Sequence, residues 1–114
     1  MKKLLIVDDD ASLLNVLAKG LSTGWDVTTA GNANDALRIL NKQQFDVIIT
    51  DYEMGASHDG VWLLKKAIQI NSKMRRILYS GSAPEEQTMS ENPGLIDIFI
   101  EKPAGLQDIM AALS

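Results

Sequence analysis

The chain has 114 residues, 46% of them apolar and 23% charged, which suits one compact domain burying about 65% of its unfolded surface and excludes a second domain. It has no cysteine, so disulfide staples, thiolate nucleophiles and cysteine metal sites are excluded and a reducing compartment is expected. A net charge of -4 works against phosphate backbones, so no direct nucleic-acid partner is expected; the N-terminal apolar run Leu4-Leu5-Ile6-Val7 is too short for a signal peptide or membrane span, and the expectation is a cytoplasmic protein with no membrane partner.

From the N-terminus onward, short apolar runs alternate with segments of helical period, the pattern of βαβ units around a parallel sheet. The expected strands are Lys3 to Val7, Trp25 to Thr29, Asp46 to Thr50, Arg75 to Tyr79 and Asp97 to Ile100. Leu4-Leu5-Ile6-Val7, Val47-Ile48-Ile49 and Ile77-Leu78-Tyr79 are continuously apolar, as strands covered on both faces are. The second run is weakly apolar. The fifth alternates, with Ile96, Ile98 and Ile100 on one face and Asp97, Phe99 and Glu101 on the other, so both read as edge strands. Right-handed crossovers then favour an α/β, doubly wound, five-stranded parallel sheet of order 2-1-3-4-5, flavodoxin-like, with ligands beyond the carboxyl ends of the first and third strands.

The first helix presents Leu14, Leu17, Ala18 and Leu21 on one face, and the last presents Leu106, Ile109, Met110 and Leu113. In the third, Val61, Leu64 and Ile68 form the expected buried stripe flanked by Leu63 and Ala67; Trp62 points away and is a candidate interface anchor. The fourth opens on Ser82-Ala83-Pro84-Glu85, a capping box with Pro in the first turn, and ends before Pro93-Gly94. Met89 is its one sizeable apolar anchor, so loose docking is expected.

Asp8 and Asp9 directly follow the first strand and Asp51 the third, so this strand order converges three carboxylates at adjacent carboxyl ends. Like charges this close raise each other's pKa unless a cation intervenes, and oxygen-only ligation by few protein groups suits Mg²⁺. Asp10 reads as the cap of the first helix. Ser80 ends the fourth strand and Lys102-Pro103 follows the fifth, adding a hydroxyl and an ammonium to the same crevice. A metal, a hydroxyl and a point charge are what phosphoryl transfer needs, since there the protein positions groups and stabilises charge.

Leu4-Leu5-Ile6-Val7-Asp8-Asp9, Asp51-Tyr52-Glu53-Met54, Ser80-Gly81 and Lys102-Pro103, spread over nearly the whole chain, resemble the receiver domain of two-component response regulators. The resemblance implies one receiver domain over residues 1–114 that acts as a phosphoryl-accepting switch and not as a turnover enzyme. Asp51 would take a phosphoryl group from the phosphohistidine of a sensor histidine kinase or histidine phosphotransfer protein. Asp9 would ligate Mg²⁺ directly and Asp8 through water, with Asp51 and the backbone carbonyl of Glu53 completing the protein ligands. Lys102 would pair with the phosphoryl group, Ser80 would swing in to bond it, and Phe99 would follow Ser80 inward. An activation-dependent homodimer is a further expectation, and the chain reads either as a stand-alone regulator or as the receiver of a longer protein.

The chain departs from the family pattern where Gly55 replaces a proline and Asp59-Gly60 arrives one residue late, which predicts a longer, looser loop with a solvated His58. The fourth helix is also more polar than family members usually show. Competing readings are a haloacid-dehalogenase-like phosphatase with Asp8 as nucleophile, a degenerate receiver used only as a binding platform, and a flavodoxin. The first would need a longer chain and a distal acidic pair. The second is opposed by intact Asp8, Asp9, Asp51, Ser80 and Lys102, and in the third the three carboxylates would repel FMN.

Overall fold

A computed structural model describes residues 1–55 and 58–114. The chain runs β1 (Lys3–Val7), α1 (Ala11–Leu21), β2 (Asp26–Ala30), α2 (Ala33–Lys42), β3 (Val47–Thr50), α3 (Gly60–Ile70), β4 (Arg75–Ser80), α4 (Glu86–Glu91), β5 (Ile98–Glu101) and α5 (Leu106–Leu113). The strands form one parallel sheet in the order β2-β1-β3-β4-β5, as the apolar runs and crossover handedness predict. Strand ends differ from the expected ones by a residue at β2, β3, β4 and β5. No helix among the described residues is long and apolar enough to cross a membrane.

The strands sort their side chains by parity into two cores. Leu5 and Val7 of β1, Ile48 of β3 and Leu78 of β4 join Ala36, Leu40, Leu63, Leu64 and Ala67 under α2 and α3. Leu4 and Ile6, Val47 and Ile49, and Ile77 and Tyr79 join Leu14, Leu17, Leu21, Ile109 and Leu113 under α1 and α5. Each fully buried leucine or isoleucine contributes about 1.5–3 kcal/mol, so these two layers hold the strand ends in place.

Three helices start on a side-chain cap: Asp10 accepts from the Leu13 N–H, Asn32 from Asp35 and Asp59 from Trp62. The fourth does not. α4 begins at Glu86, four residues beyond Ser82, and has no side-chain cap, so the expected capping box is not formed. The Ser82 N–H instead donates to Ser80 Oγ at 3.3 Å, and Pro84 is buried ahead of the helix. Met89 is 41% exposed and no α4 residue is buried, so Met89 is not the expected anchor.

The other apolar stripes shift in detail. In α3, Leu63 and Ala67 are fully buried and Ile68 only half, because the helix packs against α2 as well as the sheet. In α5, Ile109 and Leu113 are buried, Leu106 is half-buried and Met110 is 49% exposed. A Cβ at Gly20 would collide with the Leu106 side chain, so this glycine lets α5 lean on α1 through Leu106 and leaves Met110 outside. Ile98 and Ile100 face the α1/α5 layer as expected, but Ile96 packs in the α2/α3 layer. Alternation fails there because β5 starts only at Ile98, while Asp97 is bound to Arg76, whose N–H donates to the Asp97 carboxylate at 2.8 Å.

Candidate phosphoacceptor and metal site

The carboxyl ends of β1, β3, β4 and β5 bring the sequence-predicted groups to one edge of the sheet. Ladder-like bonds continue past the strands: the Asp8 N–H donates to the Ala30 carbonyl at 3.1 Å, Asp51 to Val7 at 3.0 Å, and Lys102 to Ser80 at 2.9 Å. The backbone thereby aligns Asp8, Asp51 and Lys102 independently of their side chains.

Asp8, Asp9 and Asp51 each offer a carboxylate oxygen within 4.8 Å of the others. Asp8 is buried at 3% exposure and both its oxygens are engaged: Oδ1 accepts from the Asp10 N–H at 2.9 Å and Oδ2 from Lys102 Nζ at 2.7 Å. The Oδ1 of Asp51 accepts from the Tyr52 N–H at 2.8 Å, and its Oδ2 lies 3.5 Å from Lys102 Nζ. Asp9 stands at the exposed rim. Desolvation, then the charge and hydrogen bond of Asp8 and the charge of Asp51, hold the Asp9 carboxyl above the usual carboxylate range. For Lys102, burial works to lower the pKa, but the hydrogen bond and charge of Asp8 and the nearby Asp51 together outweigh it and raise the ammonium. Three hard oxygen donors that repel one another and face one edge fit a small divalent cation.

The segment after Asp51 is drawn tight against the site. Thr50 Oγ1 donates to the Asp51 carbonyl at 2.9 Å, and the Gly60 N–H to the Tyr52 carbonyl at 2.8 Å. A Cβ at Gly60 would run into the Asp51 carbonyl oxygen, so glycine alone fits there. Gly55 takes φ +64° with Asp9 Oδ2 3.6 Å from where its Cβ would stand. Glu53 is exposed on the same stretch. The predicted loosening of this loop centres on residues 56 and 57, outside the described residues.

His58, predicted to be a solvated loop residue, is a half-buried one. Its ring stacks on Trp62 at 3.8 Å and 8° between planes, while Lys66 Nζ lies 5.5 Å from the Trp62 ring centroid. Trp62 does not simply point away either: it is half-buried and packs against the α2/α3 core. Ser80 lies 2% exposed at the end of β4, whereas Phe99 is 38% exposed on β5. Phe99 pairs in register with Leu78, two residues before Ser80.

Sequence reasoning missed two residues. Tyr79, read only as strand core, sets its ring 5.0 Å from Lys102 Nζ and donates its hydroxyl to the Ala104 carbonyl at 2.9 Å. Arg76 is 5% exposed and donates to the carbonyls of Leu95, Met74, Ser72 and Gly94. An arginine pair heading the apolar fourth strand was the only available signal for the second.

The chain is 32% identical over 113 residues to the transcriptional regulatory protein GlrR of Escherichia coli, a match covering 96% of this chain and 25% of that protein. The chain thus spans about a quarter of the length of that relative. Its fold superimposes on a CheY-like response regulator receiver domain protein of Methanospirillum hungatei with a TM-score of 0.91, at 27% identity over 99% of this chain and 90% of the other. A response regulator protein of Burkholderia pseudomallei, solved with a phosphorylated aspartic acid, calcium ion and citrate, matches at a TM-score of 0.86 and 28% identity over 100% of this chain and 67% of that one. The model of the response regulator receiver domain matches residues 4–114, and with the acidic cluster at its expected place the chain belongs to that family.

Proposed function

We propose that the protein is a phosphoryl-accepting switch of a two-component relay, with Asp51 the acceptor. One observation carries this reading: Asp51 clusters with Asp8 and Asp9 and shares the Lys102 ammonium with Asp8, and its Oδ2 is the more weakly held carboxylate oxygen, 3.5 Å from Nζ against 2.7 Å for Asp8. An Asp51 oxygen attacks the phosphorus of a phosphohistidine, a P–O bond forms, the P–N bond breaks, and the imidazole leaves with the electron pair and takes up a proton. Lys102 compensates the negative charge arriving on Asp51. Asp8, Asp9, Asp51 and the Glu53 carbonyl are the groups that would hold Mg²⁺, which supplies charge neutralisation for the transferring group. The buried Ser80 hydroxyl is the next donor along the edge, and its rotation toward Asp51 would vacate space for the half-exposed Phe99. The loosely held α4 would then carry the change to a partner, and Trp62 would anchor a contact through its exposed part.

Asp8 is a poorer nucleophile than Asp51 because both its oxygens are already bound, which weighs against the phosphatase reading. Intact mass after incubation with a small phosphodonor and Mg²⁺ tests the proposal: wild type should gain one phosphoryl group and Asp51→Asn none. Phosphate mapping to Asp8 would overturn it.

The metal site makes a separate prediction. The Asp9 carboxyl is raised above its unfolded value of 3.8, so its contribution to stability is present below that value and is lost as pH rises through the folded one. At neutral pH without metal, Asp9→Asn should therefore melt above wild type. Mg²⁺ binds the assembled cluster, so a hundredfold excess over its dissociation constant should stabilise wild type by about 2.7 kcal/mol and Asp9→Asn by much less. Equal melting of the two proteins in both EDTA and Mg²⁺ would show that the carboxylates do not share a cation.

A further inference from the structure

Lys102 has a long flexible stem and ends in a compact charge, so its usefulness depends on what holds the ammonium in place. Among the described residues, three groups surround it. Asp8 binds it at 2.7 Å, Asp51 lies at 3.5 Å, and the Tyr79 ring presents its face with the centroid 5.0 Å away. Tyr79 is 5% exposed, and its parity in β4 places it in the α1/α5 layer beside Ile98 and Ile100, two of the three apolar residues of the strand that Lys102 follows. Its hydroxyl donates to the Ala104 carbonyl at 2.9 Å and so ties down the chain just beyond Lys102-Pro103. One side chain therefore supports the lysine twice, through the ring at its charged end and through the hydroxyl at its backbone.

We infer that Tyr79 is a positioning residue for phosphoryl transfer, holding the Lys102 ammonium within reach of Asp51. The inference rests on Asp51 being the acceptor. Its physical content is a difference in directionality. The Asp8 carboxylate binds Lys102 through a directional charge-assisted bond, which competes with the arriving phosphoryl group. An aromatic face attracts the ammonium over a broad area, so Nζ can turn from Asp8 toward Asp51 without leaving favourable contact. Burial strengthens this attraction, since water cannot reach the buried face of the ring.

The test uses the full chain with phosphoramidate and Mg²⁺, comparing wild type, Tyr79→Phe and Tyr79→Leu, with Tyr79→Met as a second ringless variant should the leucine disturb folding. Removing the ring should slow phosphorylation about three- to tenfold. Tyr79→Phe, which keeps the ring, should stay close to wild type. The NMR shift of the Lys102 ε-methylene group, which reports the ring current, should move in Tyr79→Leu or Tyr79→Met and stay in Tyr79→Phe, as the contact requires. A purely structural role is separated in a Lys102→Met background, where Tyr79→Leu should slow phosphorylation no further; an undiminished further slowing there would overturn the positioning role. Wild type that gains no phosphoryl mass overturns the acceptor reading on which this one rests. Wild-type phosphorylation together with an unchanged rate or an unmoved Lys102 signal in the ringless variants overturns the role of Tyr79 alone.

Discussion

Helices α3 and α4 flank β4 in the chain, yet they are held by different means. α3 buries Gly60, Val61, Leu63, Leu64 and Ala67 and starts on the Asp59 cap. α4 buries none of its six residues and lacks a side-chain cap. It is held at its ends, by buried Pro84 before it and by buried Leu95 after it. Arg76 reinforces the second of these anchors, donating to the carbonyls of Leu95 at 2.8 Å and Gly94 at 3.2 Å. A helix fixed along its face moves only with the core. One fixed at its ends can tilt or unwind locally at small cost, which is what a switch element requires.

The largest effect that would sharpen this contrast is expected in α3. Leu64 is fully buried, so Leu64→Ala should cost about 2–5 kcal/mol in denaturant unfolding. A loss below about 1 kcal/mol would mean that the α3 face is not what fixes that helix.

Arg76→Met comes next. It keeps a buried stem but leaves the carbonyls of Leu95, Met74 and Gly94 without their charged donor, and a loss of roughly 1.5–3 kcal/mol is expected. The loss should be local: amide exchange should speed up around Leu95 more than in β1 or β3. Uniform acceleration would place Arg76 in the global core and remove the end-anchoring account of α4.

The smallest effect belongs to Met89. With 41% of its surface exposed, Met89→Ala should change stability by no more than about 0.5 kcal/mol. Residues 86–91 should exchange their amides fast in the resting protein, and slowly or differently once Asp51 carries a phosphoryl group or a beryllofluoride mimic. A large Met89→Ala loss, or exchange as slow as in α3, would break the comparison.

Much of the fold is legible residue by residue. Leu4 to Val7, Val47 to Ile49 and Ile77 to Tyr79 are apolar on both faces, and a strand with that pattern must be central in a covered parallel sheet. The site is legible for the same reason. Asp8, Asp51, Ser80 and Lys102 sit at or just past strand ends, and strand order alone brings those ends together. Asp10, Asn32 and Asp59 illustrate the local limit of this kind of reading, since a cap needs only backbone three residues away. Ser82 has the same local credentials as a cap but does not serve as one, because burying Pro84 and bonding to Ser80 set the chain's path before α4 begins.

The amino-acid sequence by itself thus determined the alternation of strands and helices, the sheet order and the set of charged groups at its edge, because periodicity and crossover handedness act at short range or by general rule. Tertiary structure alone decided how those groups are shared. It gave Lys102 to Asp8 at 2.7 Å and left Asp51 at 3.5 Å, placed the Tyr79 ring against the same ammonium, and folded His58 onto Trp62. It also turned Met110 outward by letting Leu106 close on Gly20. Each outcome is a competition among partners distant in sequence, settled by packing at the ångström scale, and no residue pattern along one strand or helix records which partner wins.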